Sequence, residues 1–597
     1  MDRVYSGDGG LQWPFVDLCA GPCKDFITNK AIPMSWTTRS SLLCLSIPLL
    51  LALTPTHAEA CGGTFCDAGP TVMPVDQTGE SIVFWVDESG AEPFTEAHIQ
   101  IQYEGNDAER FAWIIPVMEV PEVRVGSQPL FDNLLDATVP TFTTTTRTIG
   151  DCGGGVSLGC AKSESALAGD FAQSTGGFPE DSDGGPEILD RGQAGAFEYV
   201  TLTGDTIEEV VTWLEDSGYA QDDEAPPILQ EYLDEGFVFT AVKLQSGAGV
   251  DEIHPLAIRY PGTEPCIPIR LTRIAAVDDM AIRAFFLGEQ RMASSNWPHV
   301  VLNPSQFDWV NGPELNYNQV VSAAIDEAGG RAFVTEYAGT SALVSTTGLA
   351  DSSWDASAFE DIEPSAVVDT LVSQGLMSCE LEQCSYAHAQ IDPLLQIYLP
   401  TPSGVDRDDF LACVECYADL VDQEAWMQLP GFAADFSERV IVPGQHALDM
   451  LADSPQLTRL FTLLSPHEMI EDPLFHPAEG APIVDNNFSA TRVNDCDGGP
   501  TFYELPDGRI VAEDEQFQMP TLDDNPAAER IERIPMMGPP QVELDNAEAI
   551  DEVLDGYNDG RNVGPGPGCS IAKVGVEGVL WTLGMFGIAF FQRRRRE

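Results

Sequence analysis

Ala97-His-Ile-Gln-Ile-Gln-Tyr103 alternates apolar and polar side chains with a period of two. In an extended chain that period puts Ile99, Ile101 and Tyr103 on one face and His98, Gln100 and Gln102 on the other. The pattern predicts a strand with one face in a core. Two neighbouring stretches extend it. Ser81-Ile-Val-Phe-Trp-Val86 is a β-branched and aromatic run. Phe111-Ala-Trp-Ile-Ile-Pro-Val117 reads as a strand buried on both faces, with Pro116 at an edge or an end because proline offers no ladder donor.

Outward from these runs, strands are expected at 237–244, 256–260, 267–274 and 280–287. Between them lies a helical pair. Over 207–217, Val210, Val211 and Leu214 fall on one side and Glu208, Glu209 and Glu215 opposite, with Thr206 and Glu209 spaced as a capping box. The second helix, 227–235, opens on Pro227. Residues 150–195 read as a long Gly-rich loop.

From about 313 the apolar spacing becomes helical, over 319–328, 364–374, 407–420 and 447–464, with Pro455 breaking or kinking the last. Beyond 485 the chain is loop-rich, with a hairpin expected around Asp507-Gly508 and an acidic Pro/Gly-rich stalk towards 568. The expected fold class is α+β: a β-rich N-terminal domain with inserted helices, a mainly helical second region and a single C-terminal transmembrane helix. The expected boundaries are 61–305, 306–485, a stalk over 486–568 and a tail over 569–597.

Both ends carry address signals. Residues 34–60 have one arginine, Arg39, an apolar stretch from Leu42 to Leu53 and Ala58-Glu59-Ala60 as a cleavage site. Met34 reads as the start and 1–33 as an upstream extension. Cleavage after Ala60 leaves Cys61 as the mature N-terminus. At the other end, 574–591 is apolar apart from Glu577, and four arginines follow at 593–596. A helix of that length rises roughly 27 Å, enough to cross a bilayer core, with the arginines on the cytoplasmic side. The exterior expected between these signals is 61–569, attached to the membrane by its tail.

The exterior is strongly acidic. The whole chain has 95 Asp and Glu against 29 Lys and Arg, a net charge of −66. Little is left to neutralise phosphates, which excludes nucleic acid as a partner. A high-salt surface, calcium sites or a plain solvated face each account for the acidity. Of fourteen cysteines, ten belong to the body of the exterior: Cys61, Cys66, Cys152, Cys160, Cys266, Cys379, Cys384, Cys413, Cys416 and Cys496. Outside the cytoplasm such a set suggests disulfides. Local spacing proposes 61–66, 152–160, 379–384 and 413–416, with 266–496 as the remainder; spacing alone does not fix connectivity.

No catalytic set is legible. Cys413-Val-Glu-Cys416 lacks the strand–motif–helix setting of a redox C-x-x-C. His467 and His476 near Glu471 and Asp472 miss the zincin spacing. Glu180, Asp181 and Asp183 with Gly184, and Asp495 and Asp497 with Gly498, are fragments of calcium loops without the terminal glutamate. Trp85 and Trp113 read as core residues. No cofactor is called for, calcium being the one candidate. The expected role is structural or binding at the envelope, with an unknown ligand. The rivals are an exported hydrolase or metal-dependent enzyme with a noncontiguous site, and a calcium-stabilised adhesive module.

Two resemblances add to this. Cys61-Gly-Gly63, Phe111-Ala-Trp-Ile-Ile-Pro116, Gly236-Phe-Val-Phe239 with Ala241-Val-Lys-Leu244, and Cys266-Ile-Pro-Ile-Arg-Leu-Thr272 resemble a family of exported bacterial proteins known only as domain of unknown function 2330. It implies a domain and no activity. The tail order, Gly/Pro spacer, Gly568-Cys569-Ser570, apolar span and arginine cluster, resembles the C-terminal sorting domain of myxobacterial surface proteins. That resemblance implies export and sorting machinery as partners and Cys569 as the processed, lipid-anchored residue. A plain single-span anchor is the alternative.

Overall fold

A ten-stranded sheet runs through the molecule, and its strands come from almost the whole chain. In spatial order they are Gln541–Asp545, Ala528–Arg533, His299–Leu302, Phe333–Thr340, Gln456–Leu464, Met280–Gly288, Gly79–Asp87, Phe94–Gln100, Leu256–Pro261 and Glu122–Val125. The computed structural model describes residues 64–67, 79–88, 90, 92–100, 112–150, 186–216, 219–220, 225–245, 252–274, 276–380, 383–561 and 563. All lie in the unit from His57 to Glu597. Neighbouring strands are mostly antiparallel. Met280–Gly288 runs parallel to Gly79–Asp87, and His299–Leu302 parallel to Phe333–Thr340.

A second sheet packs on one face of the first. Its order is Glu187–Ala194, Phe197–Thr203, Val238–Leu244, Ala112–Val117, Thr64–Asp67 and Tyr219–Ala220. Side-chain alternation builds the core between the sheets: Ile82, Phe84, Ala97, Ile99 and Ile258 face Trp113, Ile115, Val117, Phe197 and Val242. The opposite phase of the second sheet, Ile114, Val200, Leu202 and Phe239, is covered by helices Ile207–Asp216 and Ala225–Asp234. The opposite phase of the first sheet is covered by helices Gln128–Thr138, Tyr317–Glu327 and Val442–Asp453. The order of layers is therefore helix, sheet, sheet, helix, and the α+β class holds.

The opening stretch acquires a different meaning here. Phe94–Gln100 is a strand with Ala97 and Ile99 in the inter-sheet core, but Glu96 and His98 on its polar phase are buried as well. Helix Val442–Asp453 lies over them. Pro116 fits its strand because Thr64–Asp67 pairs only as far as Ala112 and Trp113, so nothing on that side asks Pro116 for a donor.

Several expectations need correction. The helix expected over 447–464 ends at Asp453, and Gln456–Leu464 is instead a central strand. Its side chains are buried on both faces, so no period of two survives, while Leu457, Leu460, Phe461 and Leu464 happen to keep helical spacing. Pro455 stands at the changeover. The strand expected over 267–274 is a helical turn, Ile269–Thr272, since Pro265 and Pro268 deprive that stretch of ladder donors. The boundary expected at 305/306 does not divide the fold, because Gln456–Leu464 sits between Met280–Gly288 and Phe333–Thr340. A separate helical core exists, but it gathers residues from Phe359 to Val440. The segment expected as a stalk is folded. Asn487–Asp495 pairs in parallel with Thr141–Ile149, Phe502–Glu504 and Ile510–Ala512 form the hairpin around Asp507-Gly508, and helix Ala547–Asp559 buries Ile550 and Leu554.

Cys379–Cys384 and Cys413–Cys416 are disulfides. The first crosses the hairpin of Met377–Glu380 and Gln383–Tyr386 at directly paired positions. The second spans the point where helix Arg407–Ala412, capped by Asp406, gives way to the 3-10 turns of Val414–Leu420. The proposed 266–496 bridge is not made: Cys266 is a free thiol, and Cys496 is bonded elsewhere. Cys66 lies on the Thr64–Asp67 strand opposite Ala220. Ala60, Cys61, Cys152, Cys160 and Cys569 lie outside the described residues, as does the expected span over 574–591. Among the described residues no helix is long and apolar enough to cross a membrane.

Candidate functional site: the cavity between the sheets

The strand Gly79–Asp87 reads GESIVFWVD. Its pleat sends Glu80, Ile82, Phe84 and Val86 towards the second sheet and Ser81, Val83 and Trp85 towards the helices. Three of the four inward residues are apolar. Glu80 keeps the same phase and so carries a carboxyl group into an apolar layer. Its parallel partner is Ile282, which also belongs to that layer.

Around Glu80 the layers leave a cavity of about 270 Å³. Ile82, Phe84, Ala97, Ile99, Ile258 and Tyr260 wall it from the large sheet, and Trp113, Ile115 and Val117 from the small one. The segment holding Cys266, Pro268, Leu271 and Thr272 forms the end wall. Met118 and Leu474, which also line it, are 56% and 45% exposed and mark its mouth. A mainly apolar hollow with a few polar groups, here Glu80, Glu264 and Thr272, is the usual make-up of a small-molecule site.

Glu80 is 8% exposed, and its Oε2 has no hydrogen-bond partner. Burial pushes its pKa up to about 7. Near neutral pH the group therefore exists in both forms and can donate or accept a hydrogen bond. Leaving such an atom unpaired costs about 1–3 kcal/mol. Cys266 contributes a half-buried free thiol. Burial, reinforced by the nearby Asp472 carboxyl, pushes that thiol well above its usual pKa. It stays protonated and acts as a soft apolar wall, not a nucleophile.

The end wall is held rigidly from behind. Asp472 accepts from the Arg270 side chain at 2.9 Å, from the Arg270 backbone N–H at 3.0 Å and from the Tyr232 hydroxyl at 3.0 Å. Arg270 also donates both terminal nitrogens to Glu235, at 2.9 and 2.6 Å, and its guanidinium lies 4.0 Å from the Tyr232 ring centre. These contacts tie helix Ala225–Asp234, the turn Ile269–Thr272 and the chain before Phe475 together.

The histidines singled out by sequence do not meet at a common centre among the described residues. His467 is exposed, while His476 is buried on the strand Phe475–Pro477 with its Nδ1 on the Pro477 carbonyl at 2.8 Å. Glu471 reaches Arg331 at 3.6 Å, and Asp472 serves the end wall. Asp495 accepts from the Asp497 N–H, a local turn; residues 180–184 lie outside the described set. Trp113 is core, as expected, and lines the cavity; Trp85 packs edge-on to Phe94. Glu80 escaped notice although the signal was available: it is an acid in step with Ile82, Phe84 and Val86.

Residues 55–354 match the model of a family described as an uncharacterized protein conserved in bacteria, DUF2330. The chain belongs to the DUF2330 family. No curated protein and no solved structure matches it. The DUF2330 match contains every cavity-lining residue named here except Leu474. It omits Gln456–Leu464, so the matched segment alone does not complete the large sheet.

Proposed function

We propose that this DUF2330 protein is an exported, envelope-anchored binding protein, and that the inter-sheet cavity holds its ligand. The ligand is a small, mostly apolar molecule with one hydrogen-bonding head, a hydroxyl or an amine, that meets Glu80. The observation that carries this is the buried, unpartnered Oε2 of Glu80 in a mainly apolar hollow that opens beside Met118 and Leu474. A purely structural core gains nothing from an unpaired acid at that place, whereas a bound head group would complete it. Export is supported by the disulfides Cys379–Cys384 and Cys413–Cys416 and by the signal read at 34–60. Anchoring through 574–591, with or without processing at Cys569, completes the reading.

The direct experiment is native mass spectrometry of protein taken from its own cells, before and after denaturation. The expected result is a non-covalent small apolar adduct that is lost on unfolding and absent from a Glu80→Leu variant. Protein that carries no such adduct, and binds neither decanol nor decylamine when these are added, would rule the reading out. The intact mass in the same experiment reports whether the chain begins at Cys61 and ends at Cys569.

A further inference from the structure

A second cluster lies on the opposite face of the large sheet. Glu96 and His98 are two residues apart on the strand Phe94–Gln100, so they point the same way, towards helix Val442–Asp453. That helix brings His446 down onto them. The Nε2 atoms of His98 and His446 both meet Oε1 of Glu96, His98 at 2.8 Å, and the three ligand atoms all lie within 4.8 Å of one another. The two imidazoles stack with ring centres 5.8 Å apart. Side-chain exposure is 0% for Glu96, 1% for His98 and 20% for His446, so the cluster is closed on the sheet side and reachable past His446.

We propose that Glu96, His98 and His446 form a three-ligand site for a divalent transition-metal ion of the zinc type. Two imidazole nitrogens and one carboxylate oxygen are a borderline donor set that such ions prefer. Donors bound at about 2.0–2.2 Å around a tetrahedral centre stand roughly 3.4 Å apart, so only small side-chain rotations separate the observed cluster from a ligating one. The fourth position faces His446's exposed side.

The surroundings match a supported metal site. Arg259 donates its Nε to the other Glu96 oxygen at 2.7 Å, which fixes the carboxylate plane. Trp85 packs edge-on to His446 at 5.5 Å and supplies an apolar wall. Arg259 already neutralises Glu96 as an ion pair, so charge balance does not require either histidine. As a hydrogen-bond network the cluster is also incomplete, since the buried His98 Nδ1 has no partner. A closed structural network would not gather two imidazoles on one oxygen and leave one of them half satisfied.

The test uses the full exterior chain, stripped with chelator and titrated with Zn²⁺ and Co²⁺ in excess Ca²⁺ to mask the acidic surface. One equivalent of Zn²⁺ retained after gel filtration, visible d–d absorption on Co²⁺ binding and a raised Tm are expected. His446→Ala, at the accessible edge, should fold and lose more than the roughly 10–100-fold in affinity that removing an outer partner costs. Arg259→Gln should fall within that outer-partner range. Absence of stoichiometric metal in the folded wild type would overturn the proposal. So would wild-type affinity in a folded His446→Ala variant, because the ion would then sit elsewhere.

Discussion

His446 Nε2 meets the Oε1 of Glu96 across 350 positions of sequence. The contact joins the helical cover to the central sheet at a fully buried carboxylate. Burial alone would raise the Glu96 pKa, but hydrogen bonds from His446 and His98 outweigh it and hold the group far below the ordinary carboxylate range. The carboxylate also pairs with Arg259. Glu96→Ala would strand Arg259 and both rings, and should destabilise the protein by about 3–5 kcal/mol, the usual cost of breaking a buried pair from one side. Denaturant unfolding followed by tryptophan fluorescence measures it.

Glu80 gives stability a pH dependence of definite sign. Its folded pKa is raised from 4.5 to about 7, so the fold favours the protonated form. That contribution is full below about pH 4.5, declines as the unfolded chain ionises, and is gone once pH has risen through about 7. The size is at most about 3 kcal/mol, from the shift itself. Glu80→Gln should therefore be more stable than wild type, relative to their difference at pH 4, when both are measured at pH 8. Parallel pH profiles for the two proteins would contradict the assignment.

Asp472 is the hub of the cavity's end wall. Asp472→Ala leaves Arg270 and the Tyr232 hydroxyl without their shared acceptor, and a loss of about 3–5 kcal/mol is expected. The loosened wall should also expose Cys266. Its alkylation by iodoacetamide in the native state should be faster than in wild type, where the elevated thiol pKa and burial keep it slow.

Thiol mapping checks the covalent frame. In denaturant without reductant, Cys266 should be labelled, while Cys379, Cys384, Cys413 and Cys416 should react only after reduction. Labelling of either pair before reduction would remove it from the fold. Native-state protection of Cys266 by added decanol would independently place that molecule in the cavity.

The sequence was informative where one face of an element was polar. Helix Ile207–Asp216 stands within a residue of the pattern that announced it. It misled where burial is complete: the strand Gln456–Leu464 has no polar face to set its period, and Leu-rich spacing mimics a helix. The acidic, Pro-rich composition after 485 concealed strands whose apolar residues are few but well placed, such as Ile531 and Ala528. Neither candidate centre could be assembled from spacing, although Glu80 alone is visible as an acid in step with Ile82, Phe84 and Val86. Glu96 and His446 are brought together only by the sheet and its covering helix, and Cys266 reaches Glu80's cavity only because Cys266 bridges to Leu474 at the end wall.

The most direct test of the binding account is a calorimetric titration of the purified exterior with n-decanol, run alongside Ala97→Phe, whose added ring would fill the cavity where Ala97 lines it. Saturable one-to-one binding by wild type, lost in a folded Ala97→Phe variant, is the predicted result. Equal binding by both proteins, or none by either, would contradict the claim that the space around Glu80 is a ligand site.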